Sequence, residues 1–439
     1  MNRIWVIKLA VKPKILFISH DFAPDFNGTI SCIENILPHL AKSYDITLYT
    51  PLLWPGTKET ERLKSVTVKR MHSFWDKVFF DIDRLHQFVY TKNLPGALKN
   101  ALGFTFKSLR FIARRISDKY GFGSKSRWRR YTKKNDLSGY HAVIAVCAPF
   151  SNVRAACEIK KQYHHMKMIL LEFDLYTYNP LLLRFDKSRS DTFSKRLKEE
   201  NNWFGLADKV FVMKEMYEVL MTSELAKWPH KMSQIEIPNL TGTDVSSLQQ
   251  VFSEDNQTIN VVYAGMFYKD IRNPKFLINL FSEVCSRNKQ VRLHILGFGC
   301  EDQLAAAKTK MGDNLVLHGK KDRIYTQNAI YSADILINVS NNIPTQVPSK
   351  IFEYIGHGKP IVNLYSIDGD ACEKILSDYP LCLSVRENEI MINQVAETVT
   401  DFILENKDTY IDFENIKEKY SRYMPETFAN EMMKVLSDK

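Results

Sequence analysis

Short apolar runs rich in β-branched residues alternate with longer amphipathic stretches along the whole chain. This pattern is typical of doubly wound α/β domains, in which helices cover both faces of a parallel sheet. The strands that the pattern predicts are 14–19, 46–49, 142–146, 168–172 and 209–213 in the first half, and 259–264, 291–296, 315–317, 334–338 and 360–364 in the second. Each group is large enough to fill a sheet of its own.

A break in this alternation separates the two groups of strands. Pro238, Asn239 and Gly242 punctuate the chain there, and the sequence then turns polar. The pattern therefore predicts two Rossmann-like domains and a closing helix that returns to the first of them. The predicted ranges are 1–240, 241–415 and 416–439.

Two such domains facing each other would leave a central cleft between them. Ligands of open α/β sheets bind at the carboxyl ends of the strands, so we expect the functional residues to follow the strands on that side. The first domain also carries a basic, aromatic insertion at about 66–138.

The stretch from Pro348 to Leu364 is the most informative part of the sequence. Proline is preset for a first helical turn, where free backbone N–H groups favour a phosphate. Ser349 and Glu353 share a helix face, and a carboxylate one turn inside the helix can accept hydrogen bonds from two ribose hydroxyls. The pattern indicates a helix that binds a nucleotide sugar. The alternative is that Lys350 and Glu353 form only an i,i+3 surface ion pair.

Cysteine usage and hydropathy exclude several classes of protein. The seven cysteines show no CxxC spacing, which favours a reduced, intracellular protein without structural zinc. No window approaches ~18 uninterrupted apolar residues, so we expect no membrane span and a cytoplasmic location. Asp81 and Asp83 lie among aromatic residues, and we assign no metal ligand to them.

The net charge of +10 is concentrated in one segment. Residues 101–135 contain eleven Lys or Arg and a single acid, Asp118, interleaved with bulky aromatic side chains. Such a segment fits an anionic membrane surface, a solvated basic face or single-stranded nucleic acid. A nucleotide-sugar site favours the membrane, where lipid-linked sugar acceptors lie, and makes nucleic acid the least favoured partner.

At this point the sequence resembles the retaining GT-B glycosyltransferases, in particular the family 4-like enzymes of bacterial capsule, O-antigen and exopolysaccharide synthesis. The most specific match is 349–354 followed by 358–362, and Pro238-Asn239 is similar to the family's interdomain turn. Residues 14–50 resemble the family's opening strand, loop and helix, and 259–364 resemble its donor-binding domain.

For the donor, the resemblance implies that Glu353 is the second glutamate of the family's E-x7-E motif, which binds the ribose. The first glutamate is replaced by Thr345. The family binds the diphosphate with a basic pair after the first strand of its second domain, for which this sequence offers Lys269 and Arg272. Met266 stands where the usual arginine would be, so Arg272 is the favoured partner, with a capping or surface role as its alternative.

Further residues follow from the same resemblance. Gly297 begins a Gly-Phe-Gly turn similar to the loop under the nucleotide base, although an ordinary strand-to-helix turn would look the same. Gly28 lies in a loop similar to the family's glycine-rich loop, whose backbone N–H groups approach the donor phosphates or the acceptor hydroxyl, or it lies in a simple turn. Asp174 follows Phe173, where relatives carry a His-Asp pair, and is a candidate for binding the acceptor or orienting the donor, with capping of a helix as the alternative.

The resemblance implies that an acceptor hydroxyl attacks the anomeric carbon of a nucleotide-diphosphate sugar with retention, without a metal or cofactor. Arg272, Lys269, Lys350 and the helix terminus would stabilise the leaving diphosphate. We expect a glycan or lipid-linked acceptor and a peripheral location on the inner face of the cell membrane. Two alternatives stay open, a sugar-nucleotide epimerase on the same scaffold and a non-catalytic basic adaptor. The sequence leaves the donor, acceptor and linkage undefined.

Overall fold

The computed structural model of the chain contains two compact units. The first comprises the chain as far as Glu236 together with its end from Phe428, and the second spans Ile237–Thr427. The residues described are 12–20, 22–23, 27–51, 57–71, 135–147, 150–179, 189–252 and 257–438, with short helical pieces at 82, 85, 98, 102–106 and 108–109. The eleven basic residues of the segment 101–135 lie outside them.

The first unit is built on an eight-stranded sheet of order β3-β4-β2-β1-β5-β6-β7-β8. All neighbours are parallel except the hairpin β3–β4. The strands are β1 (Lys14–Ile18), β2 (Asp45–Pro51), β3 (Thr60–Leu63), β4 (Val66–Met71), β5 (Tyr140–Val146), β6 (Lys167–Glu172), β7 (Lys209–Met213) and β8 (Met232–Ile235).

The second unit contains a six-stranded, fully parallel sheet of order β11-β10-β9-β12-β13-β14. The strand order reverses between β9 and β12, which makes their carboxyl ends the topological switch point of a Rossmann-like sheet. The strands are β9 (Ile259–Ala264), β10 (Val291–Leu296), β11 (Leu315–Gly319), β12 (Ile335–Val339), β13 (Ile361–Tyr365) and β14 (Cys382–Arg386).

Helices cover both sheets. They are α1 (Gly28–Leu40), α2 (Ser151–Gln162), α3 (Arg189–Leu206), α4 (Lys214–Met221), α5 (Lys275–Arg287), α6 (Glu301–Met311), α7 (Arg323–Ser332), α8 (Lys350–Gly356), α9 (Ala371–Leu376), α10 (Ile392–Asn406), α11 (Phe413–Lys417) and α12 (Pro425–Ser437). Among the residues described, no helix is long and apolar enough to cross a lipid bilayer.

Every predicted strand is present to within two residues at either end, but four of the strands among the residues described were missed. The missed strands are β3, β4, β8 and β14, which lie at or next to a sheet edge. Edge strands are partly exposed and carry polar side chains, so their apolar signal is weak. β4, at Val66–Met71, pairs with β2 and so belongs to the sheet rather than to the insertion predicted from about 66.

The last helix, α12, packs on the first unit from Phe428 onward rather than from 416. Phe428 contacts Phe211 of β7 with ring centroids 5.3 Å apart. At the helix end, His141 Nε2 lies 2.7 Å from the carbonyl of Leu436, and Lys167 Nζ donates to that of Val435 at 2.7 Å. Both side chains satisfy carbonyls that a helix terminus leaves without partners.

A chain of hydrogen bonds crosses one face of the second sheet. His294 Nε2 lies 3.1 Å from Asn260 Oδ1, which can only accept, so His294 Nδ1 accepts from His318 Nε2 at 3.0 Å. The Tyr325 hydroxyl then donates to His318 Nδ1 at 3.1 Å. Burial lowers the pKa of His294 to about 3 and also lowers that of His318, so both imidazoles are neutral, as these bond directions require.

This arrangement predicts loss of stability in acid. The folded pKa of His294 lies below the unfolded value, so its stabilisation is complete above about pH 6.5 and is lost as the pH falls towards 3. Between pH 7.5 and 4.5 the free energy of unfolding should fall by about 3 kcal/mol through this residue, at ~1.4 kcal/mol per pKa unit. Urea denaturation of His294→Gln should show a loss smaller by that amount. His230→Gln, at an exposed position, should follow the wild type. An unchanged pH dependence in His294→Gln would contradict the prediction.

Candidate functional site

Two loops meet at the switch point of the second sheet. One follows β9 and carries Asp270 and Ile271, and the other follows β12 and carries Asn342. The backbone N–H of Asn342 donates to the carbonyl of Ile271 at 2.9 Å, and its side-chain Nδ2 donates to that of Asp270 at 2.7 Å. The two loops are therefore joined directly where the strand order reverses.

The predicted diphosphate partner Arg272 lies at this junction. Its Nε donates to Asn341 Oδ1 at 3.1 Å, and its Nη1 approaches the carbonyl of Met266 at 3.4 Å. The guanidinium is half-buried and beside Gly265, where an added β-carbon would lie 3.5 Å from Nη1. These contacts fix Arg272 through its inner edge.

The second predicted cation, Lys269, is exposed three residues earlier. It lines an open cavity of about 570 Å³ together with Tyr268, Cys300 and Gln303. Lys269 therefore borders a concave surface next to the loop that holds Arg272.

The predicted nucleotide-binding helix is α8, which begins at Lys350 rather than at Pro348. Ser349 occupies the N-cap position, and its carbonyl accepts from the side chain of Asn239 at 3.4 Å. Lys350 Nζ donates to Glu353 Oε2 at 2.6 Å, with both side chains about three-quarters buried. The ion pair considered as the alternative to ligand binding is thus formed.

Helix α8 is tied to the same edge of the sheet by a residue that the sequence analysis did not single out. The Tyr354 hydroxyl accepts from the backbone N–H of Ala264 at 3.1 Å, at the end of β9. Tyr354 is almost fully buried, as are Ile351 and Phe352 on the sheet-facing side of the helix. The helix that carries Ser349, Lys350 and Glu353 is consequently anchored next to the loop that carries Arg272.

Gly297 is required by backbone packing. Its φ is +154°, and an added β-carbon would lie 1.8 Å from the carbonyl oxygen of Gly265. The main chain continues the sheet there, because the N–H of Phe267 donates to the carbonyl of Phe298 at 2.9 Å. This close approach explains the glycine without a nucleotide base, so a contact with the base remains a prediction.

We expect Gly297→Ala to lower the melting temperature strongly, because the backbone oxygen of Gly265 would have to move. Gly319→Ala is the matched control, since Gly319 also has a positive φ, +67°, but has no heavy atom within 4 Å of an added β-carbon. The control should cost only about 1–2 kcal/mol of backbone strain. Equal losses in the two variants, measured by thermal unfolding, would contradict the packing explanation.

Gly28 and Asp174 belong to the first unit. Gly28 is the first residue of α1, and Asn27 caps this helix by accepting from the N–H of Ile30 at 2.9 Å. Asp174 lies in a bend directly after β6, not at a helix start. It is partly buried, which raises its pKa to about 6.

A buried carboxylate pair near Asp174 was missed from the sequence. Glu172 ends β6 and Glu200 lies in α3, and both are at most 1% exposed. Glu200 Oε2 accepts from the N–H of Thr177 at 3.2 Å, and Glu172 lies beside the buried thiol of Cys147, which donates to its carboxylate. Burial, with the neighbouring Glu200 charge second, raises the pKa of Glu172 well above its usual range, and burial raises that of Glu200 to about 7.

The raised pKa of Glu200 predicts that this residue's contribution to the free energy of unfolding falls as the pH rises. Because its folded pKa exceeds the unfolded one, its contribution is complete below about pH 4.5 and is lost as the pH rises through about 7. Between pH 5 and 8 the loss should be about 3 kcal/mol, at ~1.4 kcal/mol per pKa unit. Glu200→Gln should therefore be more stable than the wild type at pH 8 in urea denaturation, and Glu218→Gln, at an exposed position of α4, should not be. An identical change in stability between pH 5 and 8 in Glu200→Gln and in the wild type would refute the assignment.

The second unit matches a known protein family. Residues 258–401 match the family Glycosyl transferases group 1, and so form a domain of that type. None of the curated proteins compared with the chain matches it.

The whole chain is similar in fold to solved glycosyltransferase structures. Sucrose-phosphate synthase from Thermosynechococcus elongatus is 14% identical, with a TM-score of 0.59 over 97% of this chain and 98% of the other. "Trehalose-6-phosphate from E. coli bound with UDP-2-fluoro glucose" is 11% identical, with a TM-score of 0.62 over 97% and 99%. WaaG, a glycosyltransferase involved in lipopolysaccharide biosynthesis, is 12% identical, with a TM-score of 0.51 over 95% and 98%. The two Rossmann-like units therefore have the GT-B fold.

Proposed function

We propose that the protein transfers a sugar from a nucleotide-diphosphate sugar to a hydroxyl of a glycan acceptor, with retention of configuration. The observation that carries this proposal is the placement of Arg272. Its guanidinium is fixed at the switch point of the second sheet, inside the segment that matches Glycosyl transferases group 1. In a Rossmann-like sheet this is where a ligand binds.

The roles of the donor residues follow from charge. As the glycosidic bond loosens, negative charge builds up on the leaving diphosphate, and cations fixed beforehand stabilise it without reorganisation. Arg272 is suited to bidentate contact with the diphosphate, and Lys269 and Lys350 supply further positive charge. Glu353 accepts hydrogen bonds from the ribose once Lys350 turns to the phosphate. We propose that these side chains suffice without a metal or cofactor.

Asp174 and Gly28 are proposed to serve the acceptor and the donor phosphates from the first unit. An acceptor hydroxyl must lose its proton during transfer, and Asp174, with its pKa raised to about 6, lies at the carboxyl edge of that sheet. A structural relative is described as a glycosyltransferase involved in lipopolysaccharide biosynthesis. This favours synthesis of a bacterial surface polysaccharide on a lipid-linked acceptor, at the inner face of the membrane.

Donor binding tests the proposal. UDP-, GDP- and ADP-sugars are screened by thermal shift, since a ligand of the folded state raises the melting temperature. Arg272→Ala should weaken binding of the donor by about 10- to 100-fold, the value of a hydrogen bond to a charged group. Glu353→Ala should weaken it through the ribose. The control is Arg287→Ala, whose side chain donates to the carbonyl of Asn393 instead.

Failure of all three donor classes to bind, or full affinity in Arg272→Ala, would refute the proposed site. Incubation of the donor alone, followed by NMR, separates transfer from epimerisation, because only an epimerase forms a new sugar nucleotide without an acceptor.

A further inference from the structure

A group of buried polar side chains lies on β12 and β13 of the second sheet and in the loops that follow them. Asn338, Ser340, Asn363 and Asp370 are each at most 5% exposed. Strands in the middle of a parallel sheet ordinarily carry apolar residues on both faces. A buried polar side chain costs about 1–3 kcal/mol of stability when it lacks a hydrogen-bond partner. These four side chains therefore need partners, and their presence in the sheet calls for an explanation.

The members of the group satisfy one another. Asn338 Nδ2 donates to Asn363 Oδ1 at 2.7 Å, and Asn363 Nδ2 donates to Ser384 Oγ at 3.2 Å. Ser340 Oγ donates to Asp370 Oδ1 at 3.0 Å. Asn338 Nδ2 also donates to Ser340 Oγ at 3.5 Å, which connects the two sets of bonds, and such a network holds its members in one arrangement.

Two further bonds extend the network into the surrounding backbone. Asp370 Oδ1 also accepts from the N–H of Glu373 at 2.9 Å, which caps α9. The N–H of Ser340 donates to the carbonyl of Leu364 at 2.9 Å. Ser340 is therefore fixed through both its main chain and its side chain, at the first residue after β12.

The residue after Ser340 is Asn341, whose Oδ1 accepts from Arg272 Nε at 3.1 Å. The guanidinium is planar and has five N–H donors, so a bond to Nε sets the plane of the whole group. The terminal nitrogens then keep donors for a ligand. An arginine that is already oriented loses less rotamer freedom when a ligand binds.

We propose that Asn341 is a positioning residue, which the buried network holds through Ser340 and which orients Arg272 to receive a nucleoside diphosphate. This inference rests on the proposed function. It gives a role in donor binding to a residue that lies outside the motifs identified in the sequence. It predicts that Asn341 affects recognition of the diphosphate and leaves recognition of the nucleoside alone.

The experiment compares two ligands by isothermal titration calorimetry. UDP, GDP and ADP are tested on the wild type, and the tightest of them is then compared with its own nucleoside. Asn341→Ala should bind the diphosphate about tenfold more weakly, and the nucleoside with unchanged affinity. Ser340→Ala should show a smaller loss for the diphosphate only, because the backbone bond to Leu364 remains. Asn279→Ala is the matched control. Asn279 lies in α5, and its Nδ2 donates to Glu389 Oε2 at 3.0 Å instead of contacting Arg272.

Equal weakening of diphosphate and nucleoside would overturn the inference, because it would show a merely structural role. Unchanged diphosphate affinity in Asn341→Ala would overturn it too, and would leave the proposed function standing if Arg272→Ala still binds more weakly than the wild type. A wild-type protein that binds none of the three diphosphates would overturn the proposed function, and this inference with it.

Discussion

The reversal of strand order between β9 and β12 is the constraint on which the second unit depends. Connections from neighbouring strands leave the sheet on opposite faces there, so the loops diverge and leave a crevice. In this protein the loops that border the crevice are joined by the bonds from Arg272 to Asn341 and from Asn342 to Asp270. Tyr354 then attaches α8 to the end of β9. One topological feature thus places the cations, the glutamate and the helix start at a common edge.

Both units keep polar groups where a sheet would be more stable with apolar ones. In the second unit these groups are hydrogen-bonded to one another, as in the pairs Asn338–Asn363 and Ser340–Asp370. In the first unit the carboxyl groups of Glu172 and Glu200 are buried next to each other. Natural proteins depart from an apolar core mainly at functional or strained sites. The departures in both units lie at carboxyl ends of strands, the edge at which open α/β sheets bind ligands.

The sequence predicted the sheets because their central strands contain continuous apolar runs, such as 142–146, which is buried throughout. It missed the hairpin β3–β4, where Thr60–Leu63 is polar and partly exposed. The fold class was confirmed by the comparison with solved structures. The predicted start of α8 was wrong by two residues, because proline is equally compatible with the turn before a helix.

Part of the site could be predicted only through resemblance, and part could not be predicted at all. Arg272 and Asn341 are 69 residues apart, and no local pattern indicates that they meet. Glu200 lies in a run of charged and amide residues that looks solvated, and its burial follows only from the packing of α3. For Glu353 the sequence offered a ligand role and an ion pair. The pair with Lys350 is present, and the ligand role remains a proposal.

The Lys350–Glu353 contact has a consequence for how a nucleotide sugar would be received. Each side chain neutralises the other. A ligand that bound only the carboxylate of Glu353 would leave the mostly buried ammonium of Lys350 unpaired, and a ligand that bound only the ammonium would leave the carboxylate unpaired. A molecule that presents hydroxyls and phosphate oxygens together exchanges one ion pair for two sets of contacts at once. The affinity for a nucleotide would then exceed the value expected from the affinities of its nucleoside and of free phosphate. The salt bridge would thus favour ligands in which ribose and phosphate are covalently joined.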